Sequence, residues 1–160
     1  MQSLIYCASR SGNTRAIAEA IAEGLGPRSA VTVRAIDGGN PDLPADADLV
    51  LIGGPTEGHG PTPAVVEFLE AIPRDALVNR AVATFDTRLD WPRWASGSAA
   101  AGIAKRLQLL GARTVGRPAS FLVSMKPELL PGELDRARAW GVELAQVMSP
   151  GDSIPTRAAG

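Results

Sequence analysis

The stretch Cys7–Leu25, "CASRSGNTRAIAEAIAEGL", places a short polar loop between an apolar run and a helical pattern. The run Ser3–Ala8, "SLIYCA", indicates a short buried strand. Small or polar residues fill Ser9–Thr14, three of them with hydroxyl groups, and apolar residues then recur at helical spacing over Asn13–Leu25. The sequence therefore predicts a strand, a tight loop and a helix in direct succession.

The loop Ser9–Thr14 has the chemistry of an anion site. A helix N-terminus presents unpaired backbone N–H groups and a partial positive charge, and together these bind phosphate groups. Gly12 lets the backbone approach a ligand closely, and the loop hydroxyls add donors. A simpler interpretation is that Ser11 or Asn13 only caps the helix. One cap needs a single polar side chain, so the composition favours an anion site over a cap alone.

Other well-known phosphate and phospho-acceptor loops do not fit this sequence. It contains neither G-x-x-x-x-G-K-[ST] nor, in this loop, G-x-G-x-x-G, which excludes a P-loop and a dinucleotide fingerprint. The aspartates of a receiver domain are missing as well, because Ala8-Ser9 and Gly53-Gly54 occupy the ends of the first and third strands.

The remaining pattern alternates buried strands with amphipathic helices. Such alternation predicts an α/β fold with a doubly wound parallel sheet and helices on both faces. Ligands of such sheets bind at the carboxyl ends of the strands. The predicted strands are Ser3–Ala8, Ala30–Ile36, Leu49–Gly54, Ala81–Phe85 and an interrupted Thr114–Val123, broken at Gly116–Pro118. The predicted helices are Asn13–Leu25, one that opens at Thr62-Pro63, Ala99–Leu110 and Glu133–Met148.

The bulk properties narrow the class of protein. The 160 residues predict one domain over 1–148 and a flexible tail over 149–160, where periodicity is lost. A net charge of −1 argues against nucleic-acid binding and against a polybasic membrane-surface protein. The single cysteine, Cys7, excludes an internal disulfide framework, offers no metal cluster and is predicted to be buried. Neither a signal peptide nor a membrane-spanning run is visible, so we expect a cytoplasmic protein without a membrane partner.

The segment "SRSGNT" resembles the FMN phosphate loop of flavodoxins, [ST]-x-[ST]-G-[NT]-[ST]. Two later segments resemble flavodoxins in the same order: "LVLIGGPTEGHG", from Leu49, and "ATFDTRLDW", from Ala83, which correspond to strands three and four with the loops that flank the flavin ring. The resemblance extends over roughly Leu4–Met148 and is strongest to small stand-alone bacterial flavodoxin-domain proteins. It implies a flavodoxin-like, five-stranded parallel sheet in the order 2-1-3-4-5.

The resemblance also implies a phosphate site for FMN. Backbone N–H groups would provide most of the binding. Arg10 stands where the family has a neutral residue, and it would either add a cation beside the phosphate or point to solvent. The residues expected to hold the phosphate are Ser9, Arg10, Ser11, Gly12, Asn13 and Thr14.

Two further loops would flank the flavin ring. Flavodoxins often carry a stacking aromatic in the first of them, where this sequence has Glu57 and His59; an ordinary Gly-rich turn is the alternative interpretation. In the second loop Trp91 or Trp94 would supply the flat apolar surface, with Trp91 favoured. The expected residues of the first loop are Pro55, Thr56, Glu57, Gly58, His59 and Gly60. Those of the second are Asp86, Thr87, Arg88, Leu89 and Trp91.

Charge distinguishes these loops from those of the strongly acidic electron-transfer flavodoxins. The two ring loops contain the cations Arg88 and Arg93 as well as the acids Glu57, Asp86 and Asp90. A unit charge at ~10 Å contributes on the order of 1–2 kcal/mol at an effective dielectric constant near 20. We therefore expect a reduced, anionic flavin to be less disfavoured here than in an acidic flavodoxin.

The resemblance implies an FMN-binding electron-transfer protein with a redox protein as partner, present as a monomer or weak dimer. Such a protein needs no catalytic side chain and no metal, because the cofactor carries the chemistry. Two alternatives remain open. One is an NAD(P)H-dependent FMN oxidoreductase acting on quinone-like acceptors. The other is a flavodoxin-fold module that binds no flavin and acts through protein partners.

Overall fold

The computed structural model describes residues 1–149. Positions 150–160, which hold all but the first residue of the predicted tail, lie outside the described residues. The strands are β1 (Gln2–Cys7), β2 (Ala30–Ala35), β3 (Leu49–Glu57), β4 (Gly60–Pro61), β5 (Ala81–Leu89), β6 (Arg113–Thr114) and β7 (Ala119–Val123). The helices are α1 (Asn13–Leu25), α2 (Pro63–Glu70), α3 (Arg93–Ser96), α4 (Ala99–Leu109) and α5 (Glu133–Met148).

The sheet has the predicted topology. Its strands follow the order β2-β1-β3-β5-β6, and β7 also pairs with β5. All of these pairs are parallel. Because β6 and β7 are two pieces of one interrupted strand, the order is the predicted 2-1-3-4-5. The short β4 is an addition that the sequence did not predict: it pairs antiparallel with the end of β3.

Helices cover both faces of the sheet, as predicted. Ile17 and Ile21 of α1 and Leu144 of α5 belong to one buried apolar cluster. Phe68 of α2 and Ile103 of α4 belong to the other. Because the sheet is buried on both faces, the first part of β3, Leu49–Gly54, is an unbroken apolar run. The helices thus leave the carboxyl ends of the strands as the place where loops can build a site.

Two strands continue beyond their predicted ends. β3 runs to Glu57 and β5 runs to Leu89, so that the segments 55–57 and 86–89, expected in loops, are strand residues. The cause is pairing between distant segments: β3 pairs with β5 as far as Pro55 and Thr87, and β5 pairs with β7 from Phe85 to Leu89. The local sequence pattern carries no signal for these partners.

Cys7 lies in β1 and is buried, which confirms the expected buried thiol. Burial raises the pKa of this thiol. The thiolate is therefore disfavoured at neutral pH, as in other buried structural cysteines.

Candidate functional site

A cavity of about 330 Å³ opens where β1, β3, β5 and β7 end. We call it the main cavity. It lies at the carboxyl edge of the sheet, where ligands of doubly wound folds bind. Its wall contains residues of the predicted phosphate loop, of both predicted ring loops and of the segment that follows β7. These residues are Arg10, Ser11, Asn13, Thr14, Pro55, Thr56, Glu57, Thr87, Arg88, Leu89, Val123, Ser124, Met125 and Pro127.

The start of α1 has no side-chain cap on its N-cap residue. Gly12 is the N-cap, with φ 88°, and no side chain at this position bonds the first turn. Neither Ser11 nor Asn13 therefore acts as the simple cap. Instead, the backbone N–H groups of Gly12 and Arg15 donate to Ser9 Oγ at 3.1 and 3.4 Å. These two bonds fold the loop and hold it at the mouth of the main cavity.

The first turn of α1 offers two backbone donors to the main cavity. Within residues 1–149, no hydrogen-bond acceptor is seen for the backbone N–H groups of Asn13 and Thr14, and both residues line the main cavity. The turn also has no acidic residue. Unpaired amides and the partial positive charge of a helix end are the features that bind anions, so this turn is the candidate anion site.

Side-chain bonds fix this turn to the neighbouring elements. Asn13 Nδ2 donates to the carbonyl oxygen of Pro127 at 2.6 Å and to Ser11 Oγ at 3.1 Å. The hydroxyls of Thr14 and Thr87 share a buried hydrogen bond of 2.9 Å. The first bond attaches α1 to the segment after β7, and the last attaches it to β5. The anion site and the strand ends are thereby held in one arrangement.

Arg10 forms an ion pair with Glu57, at the end of β3. Its Nη1 lies 3.4 Å from Glu57 Oε1, and the side chains are 73% and 40% exposed. Both residues line the main cavity, and their charges offset each other there. At this exposure the pair contributes little to stability.

A second cavity of about 190 Å³ lies beside the main one. The two cavities share Thr56, Arg88 and Leu89 as wall residues, and we call them together the trough. The remaining wall residues of the second cavity are Gly58, His59, Trp91, Ala95 and Ser96. The trough therefore runs from the anion site at α1 to an aromatic surface at Trp91.

The predicted first ring loop is a tight β-hairpin. Glu57 of β3 pairs with Gly60 of β4, and the two residues between them, Gly58 and His59, have φ of 56° and 68°. Two successive positive φ values match the two-residue turns that fit the twist of a hairpin. His59 also forms a β-bridge with Gly97, before α4, so the hairpin is attached to the opposite loop.

Most of the predicted site residues lie in the trough, but four lie outside both walls: Ser9, Gly12, Gly60 and Asp86. Asp86 is fully buried. Its Oδ2 accepts hydrogen bonds from Ser98 Oγ at 2.7 Å and from the Ala100 backbone N–H at 2.9 Å, so its carboxylate binds the start of α4. Between the two candidate tryptophans, Trp91 lines the second cavity, whereas Trp94 is 86% exposed and belongs to neither wall.

Sequence reasoning missed one wall of the main cavity. Val123, Ser124, Met125 and Pro127 follow or end the last strand, and none was among the predicted site residues. A signal for them was present, because every parallel strand of a doubly wound sheet ends at the same edge. Ala95 and Ser96 of the second cavity were missed as well; they lie on α3, which is too short to leave a periodic pattern.

The described part of the chain contains neither a metal-binding cluster nor a membrane-spanning helix. Residues 1–149 hold no group of three or more His, Cys, Asp or Glu side chains placed to bind a metal ion. Over the same residues, every helix is too short or too polar to cross a bilayer.

Comparisons with known proteins agree with the fold. Oxidised Flavodoxin 1 from Bacillus cereus is similar with a TM-score of 0.75 and 23% identity, over 91% of this chain and 98% of that chain. Two-electron reduced flavodoxin from Megasphaera elsdenii is similar with a TM-score of 0.70 and 22% identity, over 91% of this chain and 99% of that chain. The flavodiiron protein from Giardia intestinalis is similar with a TM-score of 0.73 and 17% identity, over 92% of this chain but only 36% of that chain. At these identities the structures show a common fold. No curated protein matches the sequence.

A family model, that of the flavodoxin domain, matches residues 4–116. The matched region contains the start of α1, the hairpin and the whole of β5. It covers more than half of the sequence and agrees with the strand order of the sheet. The chain therefore belongs to the flavodoxin domain family.

Proposed function

We propose that this protein binds FMN in the trough and carries electrons between redox protein partners. Membership of the flavodoxin family and its flavodoxin neighbours support a redox protein with a flavin cofactor. The observation that carries the proposal is the first turn of α1, whose free amides open on the main cavity. A monomeric state or weak dimer and a cytoplasmic location stay predictions.

The residues of the main cavity fit the phosphate end of FMN. The amides of Asn13 and Thr14 and the hydroxyl of Ser11 supply donors, and no carboxylate in the first turn opposes the anion. The Thr14–Thr87 hydroxyl pair beneath them holds the turn against β5. Ser9 shapes the loop from outside the wall. A phosphate would thus replace water at donors that are already oriented.

The second cavity fits the ring end. Trp91 offers a flat apolar surface and Leu89 an aliphatic one, while Thr56 lies between the two cavities. Thr56 Oγ1 already accepts from the Ala99 backbone N–H at 2.9 Å, so its role is to shape the wall. FMN, when bound, accepts and donates electrons in one- or two-electron steps. The protein's part is to bind it, orient it and limit water around it.

The visible absorption spectrum of the purified protein, recorded with and without added FMN, tests the proposal. We expect bound-flavin bands, quenched FMN fluorescence and weaker binding of riboflavin, which lacks the phosphate. NADPH consumption with a quinone would instead favour the oxidoreductase alternative. A colourless protein that leaves FMN fluorescence unquenched would contradict FMN binding and favour the module without flavin.

A pair of variants tests the anion site itself. Asn13→Pro removes one free amide at the first helical position, where no hydrogen bond of the helix is lost. Circular dichroism and riboflavin binding check that the turn keeps its form, because Gly12 has ψ −10° and the residue before a proline favours extended backbone. Asn13→Ala removes the same side-chain bonds to Pro127 and Ser11 but keeps the amide, and it is the matched control. We expect the proline variant to bind FMN several-fold more weakly than the alanine variant, with no difference for riboflavin. Equal affinities would place the phosphate elsewhere.

A further inference from the structure

Arg88, near the end of β5, joins the two ends of the loop that follows this strand. It is half-buried and belongs to the walls of both cavities. Its Nη1 donates to the carbonyl oxygen of Trp91 at 2.9 Å, to Ser96 Oγ at 3.3 Å and to the carbonyl oxygen of Leu89 at 3.4 Å. One guanidinium thus holds Trp91, at the start of the loop, and Ser96, near its end.

The bonds of Arg88 continue to the hairpin on the other side of the second cavity. Ser96 Oγ donates to the carbonyl oxygen of Gly97 at 2.9 Å, and Gly97 forms the β-bridge with His59. Arg88, Ser96, Gly97 and His59 therefore form a continuous chain of contacts. The two loops that flank the second cavity are connected through it.

Among residues 1–149, the positive charge of Arg88 has no carboxylate as ion-pair partner: no Asp or Glu oxygen lies within ion-pair distance of its guanidinium. Its Nε is buried and has no hydrogen-bond acceptor among the same residues. Asp86, two residues earlier in β5, directs one oxygen to α4 instead. Within the described part of the chain this charge on the trough wall is thus uncompensated by an ion pair, and such a charge attracts anionic ligands.

We propose that Arg88 is the positioning residue of this site. Its hydrogen bonds hold Trp91 and the hairpin in the arrangement that forms the second cavity. Its uncompensated charge favours a ligand that is anionic or becomes anionic on reduction. Arg88 itself exchanges neither electron nor proton. The positioning role needs no ligand, whereas the charge role rests on the proposed FMN binding.

Two substitutions separate the two roles. Arg88→Lys keeps the charge, but its side chain is one atom too short to place a donor at the position of Nη1, and Arg88→Gln loses both the charge and this reach. Arg93→Gln is the matched control, since Arg93 is an exposed arginine on the same loop. Hydrogen exchange of the ligand-free full chain measures the positioning role. We expect backbone amides of residues 90–97 to exchange at least tenfold faster in both Arg88 variants and unchanged in the control. Unchanged exchange in Arg88→Gln would overturn the positioning role.

The charge role is measured by the redox potentials of bound FMN. We expect Arg88→Gln to lower the affinity for reduced relative to oxidised FMN about tenfold, a shift of ~59 mV for a one-electron couple. Arg88→Lys should keep the wild-type potential although both variants bind FMN more weakly. An equal shift in both variants, or none, would overturn the charge role. A wild-type protein that binds no FMN would refute the proposed function and the charge role with it, and the exchange measurement would still decide the positioning role.

Discussion

Gly97 lies so close to His59 that a β-carbon at position 97 would overlap the His59 carbonyl oxygen. The two residues form a β-bridge that connects the hairpin to the loop carrying Trp91. Gly97 also has φ 72°, a conformation that strains any other L-residue. Glycine is therefore required at this position for space and for backbone conformation together.

Substitution Gly97→Ala should destabilise the protein by more than about 2 kcal/mol, because the strain of a positive φ adds to the steric overlap. Gly38→Ala is the matched control: Gly38 has φ 88°, but nothing lies within 4 Å of a β-carbon built there. The control should lose only the stability that the strained backbone costs, about 1 kcal/mol. Urea unfolding of the three proteins measures the difference. Equal losses in the two variants would show that the contact with His59 carries no cost.

The gross plan of the site was predictable from local sequence. The polar loop before α1 and the Gly-rich segment after β3 are visible as breaks in an apolar pattern, and parallel topology brings such loops to one edge. Helix α1 begins and ends where its periodicity predicts, at Asn13 and Leu25. These features depend on neighbours in the chain, which a single sequence shows directly.

The details that local sequence could not predict depend on distant partners. Asp86 was expected beside the ligand, but pairing with Ser120 of β7 extends β5 through this position, and the start of α4 binds its carboxylate. Met125 lines the main cavity because β7 ends beside β5. In each case a contact across many residues decides the position of the side chain, and no periodicity records that contact.

Glu133, the first residue of α5, binds the outer edge of β7. Its Oε2 accepts the backbone N–H of Leu122 at 2.7 Å, and Arg136 Nη2 lies 2.6 Å from the same oxygen. Arg136 also donates to the carbonyl oxygen of Ser120 and lies over the ring of Phe121. Burial works to raise the pKa of Glu133, but the hydrogen bonds from Arg136 and Leu122, with the charge of Arg136, outweigh it and lower that pKa.

The pH dependence of stability should show this interaction. Since the pKa of Glu133 is lower in the folded chain, the unfolded chain binds more protons between the two values. The stabilisation is complete above the ordinary value of 4.5 and is lost as the pH falls through the folded value. Glu133→Gln should cost about 1–3 kcal/mol at pH 7, and the deficit should shrink in acid.

Denaturant unfolding between pH 3 and pH 7 measures this change. Asp135→Asn is the matched control, because Asp135 lies in the same helical turn, forms an ion pair with Arg138 and is 86% exposed. The control should stay close to the wild-type protein at every pH, as expected of a surface pair. A Glu133→Gln deficit that does not change with pH would refute the lowered pKa.

The ion pair between Arg10 and Glu57 should restrain FMN binding. It is exposed, so Glu57→Gln should change the free energy of unfolding by less than about 1 kcal/mol. The substitution frees the Arg10 guanidinium at the mouth of the main cavity and removes a carboxylate near the phosphate. We therefore expect FMN to bind more tightly, by a factor that falls as salt is added.

Titration of FMN fluorescence at low and high salt measures this affinity. Glu23→Gln is the control, since Glu23 forms an exposed ion pair with Arg138, on α5. It removes the same charge outside the cavity wall and should leave the affinity unchanged. Weaker binding by Glu57→Gln would mean that Glu57 holds the loop in its binding form.

Trp91 and Trp94 lie three residues apart but differ in their relation to the trough. Trp91 lines the second cavity, and Trp94 lies in neither wall. Stacking of a base on an aromatic side chain contributes about 1–3 kcal/mol, so Trp91→Ala should weaken FMN binding at least about fivefold. Trp94→Ala should leave it within about twofold, because its ring is 86% exposed.

Riboflavin serves as the internal control for this pair. Riboflavin has the ring but lacks the phosphate, so Trp91→Ala should weaken the binding of riboflavin and of FMN by the same factor. Fluorescence titrations of both ligands with both variants give the four affinities, and circular dichroism checks that each variant is folded. A larger loss in Trp94→Ala than in Trp91→Ala would place the ring on the outer side of α3. The hairpin and its bridge to Gly97 would then not form the ring site.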